Sequence, residues 1–302
     1  MNKLTIKEKI CAFLKRALPS IKWIIIIACG LIIGALVSLF IVGLISGTDS
    51  EDTSSTRQDL STRDSTTGNS DCNVLGINIH GEVFTYNSND SFDNQGNLIY
   101  DQTASENVVW SIKDANDNPN IKAIIIEVDS GGGSAVGGEE ISNAVKNSEK
   151  PVVAYIRDVG ASAAYLAISS ADKIFASVNS DVGSIGVTLS YLSNVDKNNM
   201  EGYTYEQLAA GKYKNSGNPD KVLTSEERTL LMRDVNIMFE NFVSDVAQNR
   251  GLTVKAVKSF ADGSTVMGEK AKELGMIDEI GGLPEVENYL EEIIGEKPEG
   301  CW

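Results

Sequence analysis

Histidine is almost absent: His80 is the only one in 302 residues. Any Ser/His/Asp triad, and any metal site that depends on imidazole, would have to be built around that single side chain. Cysteine is sparse too, with Cys11, Cys29, Cys72 and Cys301. None stands in a CxxC pair or near a histidine cluster, which argues against zinc and thioredoxin-like chemistry, so neither a metal nor a cofactor is expected. Positive charge is also short, with 26 Lys and Arg against 42 Asp and Glu. The net charge of −16 and the lack of a basic patch interleaved with aromatics count against a nucleic-acid partner.

What basic charge there is gathers at the start. Residues 1–45 carry +5, through Lys3, Lys7, Lys9, Lys15, Arg16 and Lys22 against Glu8, which leaves −21 for the rest. Residues 1–22 therefore read as a basic cytosolic segment. From Trp23 to Ile45 run 23 residues without a charge, enough at about 1.5 Å per residue to cross roughly 30 Å of hydrocarbon. The expectation is a single transmembrane helix over 23–45 in contact with membrane lipid. The basic flank before it and Asp49, Glu51 and Asp52 after it set the N-terminus in the cytosol and the body outside. A cleaved signal peptide is the competing reading, but its apolar stretch is usually about 7–15 residues, and no A-x-A-like site is present. Only Cys72 and Cys301 could then share an oxidising compartment.

Residues 46–72 are rich in Ser, Thr and Asp with hardly a large apolar side chain, which predicts a disordered tether. Globular patterning starts at Asn73 and predicts a domain over 73–290 with a tail over 291–302. Leu75, Ile77 and Ile79 alternate as in a strand, with His80 on its opposite face. SENVVWSIKDA (105–115) has helical spacing with Ser105 as its cap, and IKAIIIEV (121–128) is a short buried strand. Helix and strand then alternate through 134–147, 151–158, 162–171 and 173–178, the pattern of a parallel sheet covered by helices. Thr224 and Glu227 form a capping box ahead of Leu231, Val235, Met238, Phe239, Phe242 and Val246, spaced along one face of a long helix that Gly251 ends.

Two turns could carry chemistry. Asp129-Ser-Gly-Gly-Gly-Ser134 follows a buried strand, and without Cβ atoms its amides can approach an oxygen closely. It lacks the GxxxxGK[ST] of a phosphate loop, and by itself it also reads as a plain tight turn. In Asp158-Val-Gly-Ala-Ser162-Ala-Ala a strand ends and an apolar helix begins at Ser162. Locally that serine is either an ordinary N-cap or a nucleophile whose oxyanion would meet the Ala163 amide.

GASAAYLAISSADKIFA, VGSIGV, GKYKNSGNP and ELGMIDEIGGL, in that order, resemble the signal peptide peptidases of the SppA type, relatives of ClpP and of the crotonase fold. The resemblance covers about 74–290 and implies an α/β fold of the ClpP/crotonase-like kind, a repeated β-β-α/β-α-β spiral, here preceded by the transmembrane helix. It implies a serine peptidase with Ser162 as nucleophile, Lys214 as general base and Ser184 orienting that lysine. The oxyanion donors would be the amides of Gly132 and Ala163. Two departures stand out: Gly131 replaces the family's proline in Ser-Pro-Gly-Gly, which leaves the choice between Gly132 and Gly133 open, and Ala163-Ala164 replaces two glycines. The resemblance further implies peptide substrates, released signal peptides among them, and a homo-oligomeric ring.

Lys212 competes with Lys214, since in an extended segment the two point the same way. His80 would be the alternative base. Two other functions fit the scaffold: a crotonase-like acyl-thioester enzyme, against which the acidic outward body counts, and a catalytically silent membrane-tethered assembly module.

Overall fold

A computed structural model describes residues 72–87 and 101–302. The predicted membrane span 23–45 and all of the tether except Cys72 lie outside the described residues.

The chain forms an α/β layered structure around one mixed sheet. In order the elements are β1 (Val74–Phe84), β2 (Gln102–Ala104), α1 (Ser105–Asp117), β3 (Ala123–Gly133), α2 (Ala135–Lys146), β4 (Val152–Ala161) and α3 (Ala163–Ile168). Then follow β5 (Lys173–Ala176), β6 (Asp181–Gly183), α4 (Val195–Met200), α5 (Ser225–Asn249), α6 (Val254–Lys258), β7 (Thr265–Met267), α7 (Gly268–Glu273), β8 (Glu279–Ile280), α8 (Leu283–Ile294) and β9 (Gly300–Cys301). The main path is β2-β1-β3-β4-β5-β8, and all its pairings are parallel. Only β6 and β7 run antiparallel among the described strands.

β3 shows why the sheet is parallel and central. Its Ile124, Ile126 and Val128 enter the main core, while Ala123 and Ile125 enter a second cluster with Val153, Tyr155 and Phe175. Both faces are therefore dry, which is why the segment reads as a continuous apolar run instead of an alternating one. α8 covers the second face through Val286 and Leu290, both fully buried. On the other face α2 packs against α3, and Gly138 permits it: a Cβ there would lie 2.6 Å from the Ala163 carbonyl oxygen.

Several boundaries differ from those expected. β3 does not stop at Val128 but runs through the glycines to Gly133, after a register shift between Val128 and Ser130 against β4. β4 runs on to Ala161, because it exchanges partners along its length, pairing β5 through 153–156 and β6 through 159–161. The cap of α1 is Ala104 instead of Ser105, whose hydroxyl donates to Glu140 inside the fold. Residues 291–302 supply the end of α8, β9 and a disulfide between Cys301 and Cys72, with Cα atoms 5.8 Å apart.

Candidate active site

The extended ends of β3 and β4 bring the two turns together at the carboxyl edge of the parallel strands, where open α/β sheets place ligands. At the end of β4 the chain reverses into α3 through Ser162, whose φ is 52° and ψ −126°. A capping serine would have extended backbone and bond an amide of the first turn. Ser162 does neither: its side chain makes no cap bond, and its own N–H donates 2.6 Å to the Gly183 carbonyl. Ser162 thus holds the cap position without a side-chain cap bond, and it lines a cavity of about 450 Å3. Ala163 opens α3, so its N–H has no partner within the helix.

The glycine strand completes this corner. Gly132, with φ 103°, lies so close that a Cβ would sit 2.7 Å from Ser162 Cβ and 2.9 Å from the Ala163 nitrogen. Its amide donates to Ser130 Oγ at 3.1 Å. Gly133 is exposed and lines the cavity with Ser162, Ala163 and Ser184. Ser184 has φ 50°, and its hydroxyl donates 2.9 Å to the Gly263 carbonyl, which leaves its lone pairs available to a cation.

The remaining candidates lie elsewhere. Lys214 is exposed in the turn 211–217, outside the residues lining the cavity, and makes no ion pair among the described residues. Lys212 pairs with Glu226 at 2.7 Å, and that bond raises its pKa, so it is held as a cation. His80 is not at the cavity; its Nε2 is 3.0 Å from Glu127 Oε1. Burial pushes the Glu127 carboxyl up, but hydrogen bonds from Tyr155, Arg157 and His80 outweigh it and hold the group below its ordinary value.

The structure adds walls that the sequence did not single out. Leu166, Val187, Met238 and Phe242 give the cavity an apolar side, and Asp262 stands on its lining. Met238 and Phe242 were legible only as part of an apolar helical stripe, which reads as core. No group of His, Cys, Asp and Glu able to hold a metal occurs among the described residues.

A serine with a strained backbone at a strand end, beside the first amide of a helix and on the lining of a cavity, is an arrangement that serine hydrolases use. Comparison with known proteins narrows the class. Residues 144–295 match the model of Peptidase family S49. A protein of Methanocaldococcus jannaschii named as a protease is 32% identical over 204 residues, 66% of each chain. A protein of Enterococcus faecium named as signal peptide peptidase SppA is 26% identical over 275 residues, 86% of this chain and 77% of that one. A ClpP1 mutant from Listeria monocytogenes superposes with a TM-score of 0.44 at 16% identity, over 70% of this chain and 92% of that one. This chain belongs to Peptidase family S49, a family of serine peptidases.

Proposed function

We propose that the chain is a membrane-anchored endopeptidase in which Ser162 attacks the peptide carbonyl and Lys214 takes its proton. The reading is carried by Ser162, bent to a positive φ on the lining of the cavity beside the Ala163 amide. The alkoxide adds to the carbonyl carbon, and the amides of Ala163 and the glycine strand hold the oxyanion. The lysine then protonates the leaving amine, and water releases the acyl group. Gly132 has its amide engaged by Ser130 whereas Gly133 faces the cavity, so we assign the second donor to Gly133 and packing against Ser162 to Gly132.

A lysine serves as base only when neutral, the form that burial in an apolar site favours. Lys214 is exposed in the single chain. Around it, the stretch from Leu189 to Val222 displays Leu192, Met200 and Leu208 more than 80% exposed. Apolar side chains left bare in this way mark an interface. We assign that interface to a second copy in a homo-oligomeric ring, where Lys214 of one chain reaches Ser162 of its neighbour and Ser184 receives the ammonium.

The apolar wall of Leu166, Val187, Met238 and Phe242 suits a large apolar side chain next to the scissile bond. With the span 23–45 anchoring the body at a membrane, released signal peptides and other membrane-derived peptides are the substrates that fit. The Cys72–Cys301 disulfide supports a body outside the cytosol.

Hydrolysis of an apolar peptide by the full chain, compared across single variants, tests this reading. Ser162→Ala and Lys214→Ala should each lose about 10^3-fold or more, and Lys212→Ala should stay within about three-fold of the parent. Full activity in either of the first two would sink the mechanism.

A further inference from the structure

The serine before the glycines, Ser130, takes no part in the mechanism above, yet it is only 2% exposed. It sits just past the register shift of β3, opposite Gly160 of β4. A hydroxyl has one proton to give and two lone pairs to offer. Ser130 gives its proton to the Gly81 carbonyl and accepts the Gly132 N–H at 3.1 Å. A buried hydroxyl thus ties the oxyanion turn to β1.

The other end of the tie is itself fixed. Gly81 occupies the register shift of β1 between His80 and Glu82, with φ 65°. His80 is pinned on three sides: its N–H donates 2.9 Å to Thr103 Oγ1, Thr103 Oγ1 donates 2.8 Å to its carbonyl, and its ring meets Glu127. The anchored carbonyl of Gly81 sets where Ser130 Oγ lies, and Ser130 Oγ sets which way the Gly132 amide points. With that amide turned away, Gly133 is the glycine presented to the cavity.

We propose that Ser130 is a positioning residue of the oxyanion turn, anchored on the His80 bulge, and that it determines which glycine amide meets the substrate oxygen. The proposal rests on the peptidase reading above. It gives the chain's lone histidine a role in holding the turn, away from proton transfer.

The test is steady-state hydrolysis and melting of the full chain as parent, Ser130→Ala and Ser162→Ala, together with inhibition by a peptide aldehyde, whose adduct carries the oxyanion. Ser130→Ala should lower kcat and aldehyde affinity alike by about 10- to 100-fold while KM stays within about two-fold. The melting temperature of the same protein reads any general loss of structure. Unchanged kcat and aldehyde affinity would overturn the proposal, and so would a loss expressed mainly in KM. If Ser130→Ala does not fold, Ser130→Cys, which keeps the shape and bonds weakly, carries the same comparison. A parent without Ser162-dependent hydrolysis would overturn the peptidase reading and this inference with it. An active parent matched by Ser130→Ala overturns this inference alone.

Discussion

Ser162 and Ser184 are the two non-glycine residues with positive φ among those described, and both line the same cavity. Strain of this kind costs of order 1–3 kcal/mol per residue and persists only where the surrounding structure imposes it. Gly132 is part of that surrounding structure. Gly132→Ala would drive a Cβ into Ser162 and the Ala163 amide, so peptide hydrolysis should fall by about 10^2-fold or more, the usual effect of spoiling an oxyanion site. Near-parental activity in that variant would show that the two turns do not work together. A lysine base also fixes the form of the pH profile: kcat/KM should rise through the mildly alkaline range, and a profile flat from pH 5 upward would oppose it. The sequence made Ser162 legible as a serine at a strand-to-helix turn, but a cap and a nucleophile share that pattern. The positive φ of Ser162 and the bond from its N–H to the Gly183 carbonyl bring in β6, and no local signal encodes either. Lys212 and Lys214 share one short turn, so spacing does not choose between them; in the folded chain Lys212 pairs with Glu226.

Among the elements, α5 is the most legible in the sequence, because its start is written in local chemistry. Thr224 Oγ1 accepts the Glu227 N–H at 3.2 Å, and the Glu227 carboxylate accepts the Thr224 N–H at 3.1 Å, the reciprocal box expected. Lys221 adds a hydrogen bond that, with the Thr224 N–H, lowers the Glu227 pKa from 4.5 to about 2. A depressed carboxylate stabilises the fold above its unfolded pKa and loses that effect as pH falls toward the folded one. Thr224→Ala should therefore cost about 1 kcal/mol at neutral pH in a denaturant titration. The melting-temperature gap between the parent and Glu227→Gln should hold from neutral pH down to about 4.5 and close toward pH 2. A gap that is constant across this range would contradict the assignment. The strands were legible in kind but not in extent. Ile121 to Val128 reads as a buried strand; it starts at Ala123, and its continuation through Gly133 depends on pairing with Val83, far away in sequence. Met238 and Phe242 are legible as part of an apolar stripe, which does not tell a cavity wall from a core contact; Phe242 is both.

At the scale of the whole molecule, one covalent tie joins distant parts of the described residues. The Cys72–Cys301 bond closes a loop of 229 residues and joins the start of the described body to β9. Replacing both cysteines by serine should lower stability by about 2–4 kcal/mol, measured by denaturant unfolding with and without reductant. Reductant should leave the variant unchanged. The ring proposed above has its own test. Ser162→Ala and Lys214→Ala are each inactive on this account, and mixing them should recover part of the parental hydrolysis, because some interfaces then pair an intact serine with an intact lysine. Covalent capture reaches the central assignment most directly: the full chain is treated with a serine-reactive phosphonate, the adduct is mapped by mass spectrometry, and its rate of formation is compared with that in Lys214→Ala. Modification of Ser162 that becomes at least about 100-fold slower without the lysine is the expected result. Modification of another residue, or of Ser162 at the same rate in both proteins, would contradict it.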